Sequence, residues 1–246
     1  MSDYGPATYG DSVAPHYDDW YPIFDGDAIT LLARLAGAGP ALELGIGTGR
    51  VALPLAARGV EVHGVDASPA MIERLRAKPG GAEIKVHLAD FADLSAVGEE
   101  KFSLAYVVFN TFFSLQSQEA QVRCFAGVAR LLAPGGVFLI EAFVPDLTRF
   151  AGRMVNRPAR VAADRVELDV SEHFAAEQRV AGHKVVLADG QPARLYPIQI
   201  RYCWPSELDL MARLAGLTLR ERTAGWRGEP FTDASTQHIS IYGRAG

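Results

Sequence analysis

The stretch that decides the fold runs ALELGIGTGR, from Ala41 to Arg50. It joins a short apolar run to a helical pattern through Gly45, Gly47 and Gly49, which lie two residues apart. Because glycine has no Cβ atom, the backbone can turn tightly here and let a ligand lie close against it. Apolar residues recur at helical spacing over residues 50–58, so we predict a helix whose N-terminal amide groups face the loop. Such a loop is suited to a small, partly anionic ligand.

Two further strands place acidic residues at the same edge of the predicted sheet. The apolar alternation of residues 60–65 ends in Asp66, where a carboxylate can accept hydrogen bonds from both hydroxyls of a ribose. After a helix that is expected to begin near Ser68, a third strand over residues 83–88 leads to Asp90 and Phe91. One acceptor and one ring at that edge suit the amino group and the face of an adenine.

With these residues in view, the chain resembles the class I S-adenosylmethionine-dependent methyltransferases over residues 41–143. In that family the acidic residue that ends the first strand, here Glu43, lies near the methionine part of the cofactor. A further likeness is the LAPGG sequence of residues 132–136, between a helix and the fifth strand. The resemblance implies that S-adenosyl-L-methionine is the cofactor and that it is bound by Glu43, Gly45, Gly47, Gly49, Asp66, Ala67, Met71, Asp90, Phe91 and Phe109.

The resemblance also implies an α/β fold of the Rossmann-like kind, a seven-stranded, mostly parallel sheet with helices on both faces. A nicotinamide or flavin enzyme is a weaker alternative, because such enzymes usually space their glycines G-x-G-x-x-G and have an apolar residue where Glu43 stands. A second alternative stays open: a non-methylating protein, cyclase-like or regulatory, that keeps the cofactor site.

Composition predicts a single domain over residues 1–246 in a cytoplasmic, reducing compartment, and the resemblance implies that it is a methyltransferase domain. With 49% hydrophobic residues, the chain can bury a core without help from metals or disulfides. No run approaches the roughly 20 apolar residues of a membrane span, and the N-terminus lacks a basic region and an apolar signal core. The two cysteines, Cys124 and Cys203, have no metal-ligand spacing, so we expect neither a disulfide nor a metal site.

The charge pattern argues against a nucleic-acid partner. The net charge is −5 at pH 7 and the arginines are dispersed, so no concentrated basic surface is available for phosphates. Residues 109–112, FNTF, do not match the Asn/Asp-Pro-Pro-aromatic motif of methyltransferases that act on base amino groups. We therefore expect a small-molecule methyl acceptor and neither nucleic acid nor membrane as a partner.

Aromatic residues crowd the first segment, residues 1–25, in which residues 14–21 are predicted to form a short helix opened by Pro15. This helix can pack on the core, or it can form a lid over the cofactor. The pattern Tyr17-Asp18-x-x-Tyr21 is similar to the N-terminal Tyr-Asp-x-x-Tyr of several small-molecule methyltransferases. On a helix Tyr17 and Tyr21 share one face, from which both can approach the reacting groups.

Residues 155–203 change to the alternation that is typical of strands, with Asp189-Gly190 as a strong hairpin signal. We predict an antiparallel insert of about three strands after the fifth strand of the sheet. Many members of the family carry substrate-binding or dimerising additions at this place, so the insert is a candidate homodimer interface.

Methyl transfer from a sulfonium is an in-line displacement, so much of the catalysis can come from holding the two partners in line. A neutral amine acceptor then only needs to be oriented, whereas a hydroxyl calls for a base such as histidine. Asn110 and Glu141 stand near strand ends where open α/β sheets bind ligands, although either can be a simple turn or cap residue. Through its N-terminal tyrosines and its insert the chain is similar to sugar N-methyltransferases, which implies transfer to N or O of an amino sugar or another natural-product intermediate. We predict Tyr17, Tyr21 and Asn110 as the catalytic residues.

Overall fold

The computed structural model describes residues 4–22, 24–150 and 152–244. Residues 1–3 and 23 of the predicted lid segment, and residues 151, 245 and 246 of the predicted domain, lie outside these ranges. The α-helices are α1 Thr8–Val13, α2 Tyr17–Trp20, α3 Gly26–Ala36, α4 Ala52–Ala56, α5 Pro69–Arg76, α6 Gln118–Leu131 and α7 Pro205–Leu214. The strands are β1 Ala41–Leu44, β2 Val62–Asp66, β3 Lys85–Leu88, β4 Phe102–Val107, β5 Leu132–Phe143, β6 Met154–Val161, β7 Arg165–Phe174, β8 Arg179–Ala188, β9 Arg194–Arg201, β10 Leu217–Thr223 and β11 Gln237–Arg244.

A seven-stranded sheet in the order β10-β11-β5-β4-β1-β2-β3 forms the centre of the molecule. Strands β1 to β5 pair in parallel, and β11 lies antiparallel to both β5 and β10. The central strands are short and almost wholly apolar because helices cover both of their faces. The predicted Rossmann-like sheet is therefore confirmed, and the ends of β1, β2 and β4 meet at one edge.

Successive side chains along each strand point to opposite faces of the sheet, and this divides the hydrophobic core into two layers. Leu42 and Leu44 of β1 point to the layer that α6 and α7 cover, whereas Ala41 points to the layer that α3 and α4 cover. Glu43 and Tyr106 are direct partners in the register of β1 and β4, so their side chains share one face of the sheet. Within the described part of the chain, no helix is both long and apolar enough to cross a membrane.

The insert after β5 is confirmed, but it holds four antiparallel strands, β6-β7-β8-β9, instead of about three. The sequence prediction missed β6, because Pro158 and the two arginines, Arg157 and Arg160, make it unlike a buried strand. An edge strand tolerates both, since its outer backbone groups need no partner strand. Asp189 and Gly190 lie in the turn between β8 and β9, where Gly190 has a positive φ of 67°.

Three helix and strand boundaries differ from the prediction. Residues 14–21 do not form one helix: α1 ends at Val13, and Pro15 separates it from α2 because proline has no N–H group with which to continue the helix. The helix after the glycine loop covers only Ala52–Ala56, since residues 50 and 51 still belong to the turn. Residues 134–136 lie inside β5, whose pairing with β4 shifts in register there.

Candidate active site

The three glycines of the loop serve different purposes. All have positive φ angles, 72° at Gly45, 55° at Gly47 and 78° at Gly49, which other residues rarely adopt. A Cβ atom at Gly45 would lie 2.5 Å from a methyl carbon of Thr111, and one at Gly49 would lie 2.3 Å from Leu75. At Gly47 nothing lies within 4 Å, so the middle of the loop is the place that a ligand can approach.

Asp66 ties the tip of β2 to this loop. Its carboxylate accepts hydrogen bonds from the N–H groups of Gly47, at 2.7 Å, and Ser68, at 2.8 Å. Burial raises the pKa of Asp66, and the two N–H groups oppose that rise. Each carboxylate oxygen keeps a second lone pair, so the side chain can still accept the hydroxyls of a ribose as predicted.

Glu43 is the most deeply buried carboxylate at this edge, with 3% of its surface exposed. The hydroxyl of Tyr106 donates to it at 2.9 Å. Burial raises the pKa of Glu43 to about 8, against the opposing effects of Tyr106 and the Arg50 guanidinium. A buried carboxylate of this kind is suited to hold a ligand ammonium, which would restore its charge.

The remaining predicted cofactor residues line the same edge of the sheet. Asp90 is half-buried and accepts the N–H of Ala92 at 2.9 Å, whereas Phe91 is 6% exposed and packs in the core. Little of the Phe91 face is thus left for an adenine. Met71 is buried beneath the N-terminal segment, and Ala67 is half-buried beside Asp66.

Arg50 is a site residue that the sequence analysis did not select. Its guanidinium carbon lies 4.2 Å from the ring centre of Phe109 and 5.1 Å from that of Phe24. The rings of Tyr21 and Tyr17 follow at 5.6 and 5.8 Å. We call these four rings the aromatic cage. The only sequence signal was the position of a cation directly after the glycine loop.

The predicted pair Tyr17 and Tyr21 does come together with Phe109. The rings of Tyr17 and Tyr21 lie 5.1 Å apart, and Tyr21 meets Phe109 edge to face at 4.9 Å. Asn110, the third predicted catalytic residue, has its side-chain oxygen occupied by the N–H of Phe143 at 2.7 Å. Its side-chain NH2 is the group that can still face a ligand.

The N-terminal segment lies across the glycine loop. Asp18 accepts hydrogen bonds from the hydroxyl of Thr48 at 2.6 Å and from Lys78 at 2.8 Å. On its other side, Trp20 packs edge to face against Tyr196 of the insert, with ring centres 4.8 Å apart. The segment is therefore held between the loop and the insert, as a closed lid would be.

A cavity of about 220 Å³ opens beyond Phe143, between the loop that follows β5 and the insert. Its walls are mostly apolar, and the ion pair of Arg157 and Asp169 adds charge to the lining. The apolar part of the wall comes from Phe143, Phe150, Val180, Ile198 and Ile200.

Four histidines that could serve as a base, His16, His173, His183 and His238, lie away from the aromatic cage. His16 contacts Arg194 at 3.0 Å, His173 bonds the hydroxyl of Tyr202 at 2.9 Å, and His183 is exposed on β8. His238 is buried against Ser240, and burial lowers its pKa to about 4. In the described part of the chain, no histidine belongs to the aromatic cage.

Comparison with known proteins agrees with this geometry. A family model described as a methyltransferase domain matches residues 41–136. The solved structure of the CcbJ methyltransferase from Streptomyces caelestis is 39% identical, covers 99% of this chain and 100% of its own, and superposes with a TM-score of 0.91. The cypemycin N-terminal methyltransferase of a Streptomyces species is 29% identical over 99% of this chain and 100% of its own. The sugar N-methyltransferase KedS8 from Streptoalloteichus shares the fold, with a TM-score of 0.70 at 18% identity, over 100% of this chain and 97% of its own.

Proposed function

Because this chain belongs to the class I S-adenosylmethionine-dependent methyltransferases, we propose that it methylates an amine nitrogen of a small natural-product acceptor. An amino sugar is one acceptor of this class, and the amino terminus of a short peptide is another. The full-length similarity to a methyltransferase named for an N-terminal substrate supports an amine over a hydroxyl.

The observation that carries this proposal is the aromatic cage around a cation. Tyr17, Tyr21, Phe24 and Phe109 hold the Arg50 guanidinium at 4.2 to 5.8 Å from their ring centres. Aromatic faces attract cations by about 0.5 to 2 kcal/mol, and a sulfonium is a cation of the same kind. When the Arg50 guanidinium pairs with the cofactor carboxylate, the same rings would therefore suit a sulfonium and the ammonium that forms when an amine is methylated.

The acid and base groups near the cage favour the same acceptor. Burial raises the pKa of Tyr17 to about 12, so its phenol stays protonated at neutral pH and acts as a hydrogen-bond donor. The described part of the cage holds no histidine. A hydroxyl acceptor would lack a histidine base here, whereas a neutral amine attacks with its own lone pair and needs only to be oriented.

Each residue of the site has a proposed part in binding. Glu43 takes the ammonium of the methionine part, Arg50 takes its carboxylate, and Asp66 takes the ribose hydroxyls. The amine lone pair forms the new N–C bond to the cofactor methyl group, the C–S bond breaks with its electrons kept by sulfur, and the amine proton passes to water. The apolar body of the acceptor fits the cavity beyond Phe143.

The test is a transfer assay with methyl-labelled cofactor against matched amines and alcohols, including amino sugars, their hydroxy analogues and short peptides. We expect label on nitrogen, located by mass spectrometry, and slower labelling with Asp66→Ala at a cofactor concentration below saturation. Label on oxygen alone would contradict the amine proposal. Tight binding of S-adenosylhomocysteine with no transfer to any acceptor would instead favour the non-methylating alternative.

We place the reaction in the cytoplasm, which the buried and free Cys124 and Cys203 support.

A further inference from the structure

Two consecutive residues at the end of β4 have left-handed backbone conformations without being glycine. The φ angle is 58° at Phe109 and 62° at Asn110. Asparagine adopts this conformation fairly often, but for a bulky side chain such as phenylalanine it is an outlier. A residue stays in such a conformation only when its surroundings hold it there.

Strand β5 supplies the groups that hold this turn. The carboxylate of Glu141 accepts the N–H of Phe109, and the side-chain oxygen of Asn110 accepts the N–H of Phe143. The N–H of Asn110 also reaches the backbone oxygen of Glu141 at 3.4 Å. Glu141 is 9% exposed, and burial raises its pKa. Since burying a carboxylate is unfavourable unless it is well bonded, its presence calls for a reason.

The turn changes the direction of the Phe109 ring. Side chains alternate along β4, and Val107 points into the layer that α6 covers. Regular alternation would send Phe109 to that same layer. The left-handed turn instead brings the ring to Arg50, at 4.2 Å, where it is the cage ring nearest to the cation.

We propose that Glu141 is a positioning residue whose carboxylate holds Phe109 in its left-handed conformation, so that the ring faces the sulfonium of the cofactor. This inference rests on the role given to the aromatic cage under the proposed function. Glu141 acts through Phe109, and the length of its side chain matters more for this role than its negative charge.

The test compares Glu141→Gln, which keeps the length and an acceptor oxygen, with Glu141→Asp, which keeps the charge but is one methylene shorter. Calorimetry gives the dissociation constants of S-adenosylmethionine and S-adenosylhomocysteine for each protein. The two ligands share adenosine and amino-acid parts, so the ratio of their constants isolates recognition of the sulfonium. We expect Glu141→Gln to keep the wild-type ratio within about twofold. Glu141→Asp should shift it against S-adenosylmethionine by about 3- to 30-fold, the range of a lost cation–π contact.

The opposite order, with Glu141→Asp unchanged and Glu141→Gln impaired, would show that charge acts directly and would overturn the proposal. An unchanged ratio in both variants, or an equal loss in both, would overturn it as well. Phe109→Leu separates the premise from the inference: if it leaves the ratio unchanged, the cage itself has no part in sulfonium recognition. Thermal unfolding with saturating S-adenosylhomocysteine checks that each variant folds. If Glu141→Asp does not fold, Glu141→Gln still tests the proposal. A ratio of the two dissociation constants that differs from the wild-type ratio by more than twofold in Glu141→Gln would reject it.

Discussion

At the scale of single residues, the ionisation of Glu43 should govern cofactor binding. Its pKa is about 8 because it is buried, and a ligand ammonium beside it would favour the charged form. Below pH 8 binding should therefore release a proton, and affinity for S-adenosylhomocysteine should rise as the pH rises from 6 to 8.5. Calorimetry in two buffers of different ionisation enthalpy measures both effects. In Glu43→Gln the pH dependence should disappear, and binding at pH 8.5 should weaken by about 10- to 100-fold.

The raised pKa of Glu43 also predicts how the stability of the cofactor-free protein depends on pH. The pKa of Glu43 is higher in the folded state than its ordinary value of 4.5, so the folded state binds the proton more tightly. Its contribution to stability is complete below pH 4.5 and is lost as the pH rises through about 8. Glu43→Gln should therefore lose less free energy of unfolding than the wild type between pH 5 and 8.5 in urea titrations. Parallel losses in the two proteins would contradict the raised pKa.

Asp66 carries the next prediction. Asp66→Ala should weaken binding of S-adenosylhomocysteine by about 1.5 to 3 kcal/mol, or 10- to 100-fold, the range for a hydrogen bond to a charged group. The matched control is Asp93→Ala, because Asp93 accepts a backbone N–H from Ser95 in the same way but is exposed and away from the site. An unchanged dissociation constant in a folded Asp66→Ala protein would remove Asp66 from the ribose site.

These residues also show which parts of the candidate site could be predicted from the sequence. Gly47 and Asp66 were selected because strand ends and glycine spacing fix where a backbone lies, and short side chains stay close to it, whereas Glu43 was selected through the family resemblance. Arg50 was missed because the direction of a long side chain depends on rings that come from two distant parts of the chain, residues 17–24 and Phe109. Asn110 was selected for its position at a strand end, but the hydrogen bond that its side-chain oxygen accepts from Phe143 joins distant parts of the chain and has no sequence signature.

At the scale of secondary-structure elements, hydrogen bonds tie the short helices α1 and α2 to the glycine loop and to the segments on either side of α5. Asp18 accepts from Thr48 and Lys78, and Asp11 accepts from the hydroxyl of Ser68 at 2.6 Å. Neither contact was predictable, since each joins residues far apart in sequence. They indicate how a lid would be held closed, and the lid itself stays a prediction.

Asp18→Ala should loosen this closure. We expect amide exchange over residues 8–20 to become about two- to fivefold faster without cofactor, the range of a partly exposed ion pair. Asp19→Ala is the matched control, because Asp19 is its exposed neighbour on α2. Exchange that responds equally in both variants would mean that the Asp18 contacts do not hold the segment.

Tyr17 and Tyr21 test whether the segment acts on the ligand. Tyr17→Phe and Tyr21→Phe keep the rings but remove the phenol donors, so we expect weaker cofactor binding and slower turnover. Amide exchange in the segment should slow when S-adenosylhomocysteine binds. If affinity, turnover and exchange all stay unchanged, the segment is ordinary packing on the core.

At the scale of the whole molecule, the insert has two different faces. One bears Tyr196 and Lys184, which contact Trp20 of the N-terminal segment. The register places Leu168, Val185 and Leu195 in one row on the opposite face. Leu195 is 60% exposed there, and Leu187 on the same face is 42% exposed. An exposed apolar sheet face of this kind usually marks an interaction site.

We propose that a second copy of the chain covers this face, because one face that pairs with itself closes a two-fold dimer without further surface. Leu195→Glu places a charge at the β9 end of the row, and burying it unpaired would be unfavourable. Sedimentation equilibrium should therefore give twice the chain mass for the wild type and the single mass for Leu195→Glu. Leu214→Glu is the matched control, since Leu214 is 75% exposed but lies on α7. A monomeric wild type, or a variant that stays dimeric, would contradict the interface. The other face of the insert contacts the N-terminal segment, so dimerisation should also stabilise that segment. We therefore expect Leu195→Glu to speed amide exchange over residues 8–20.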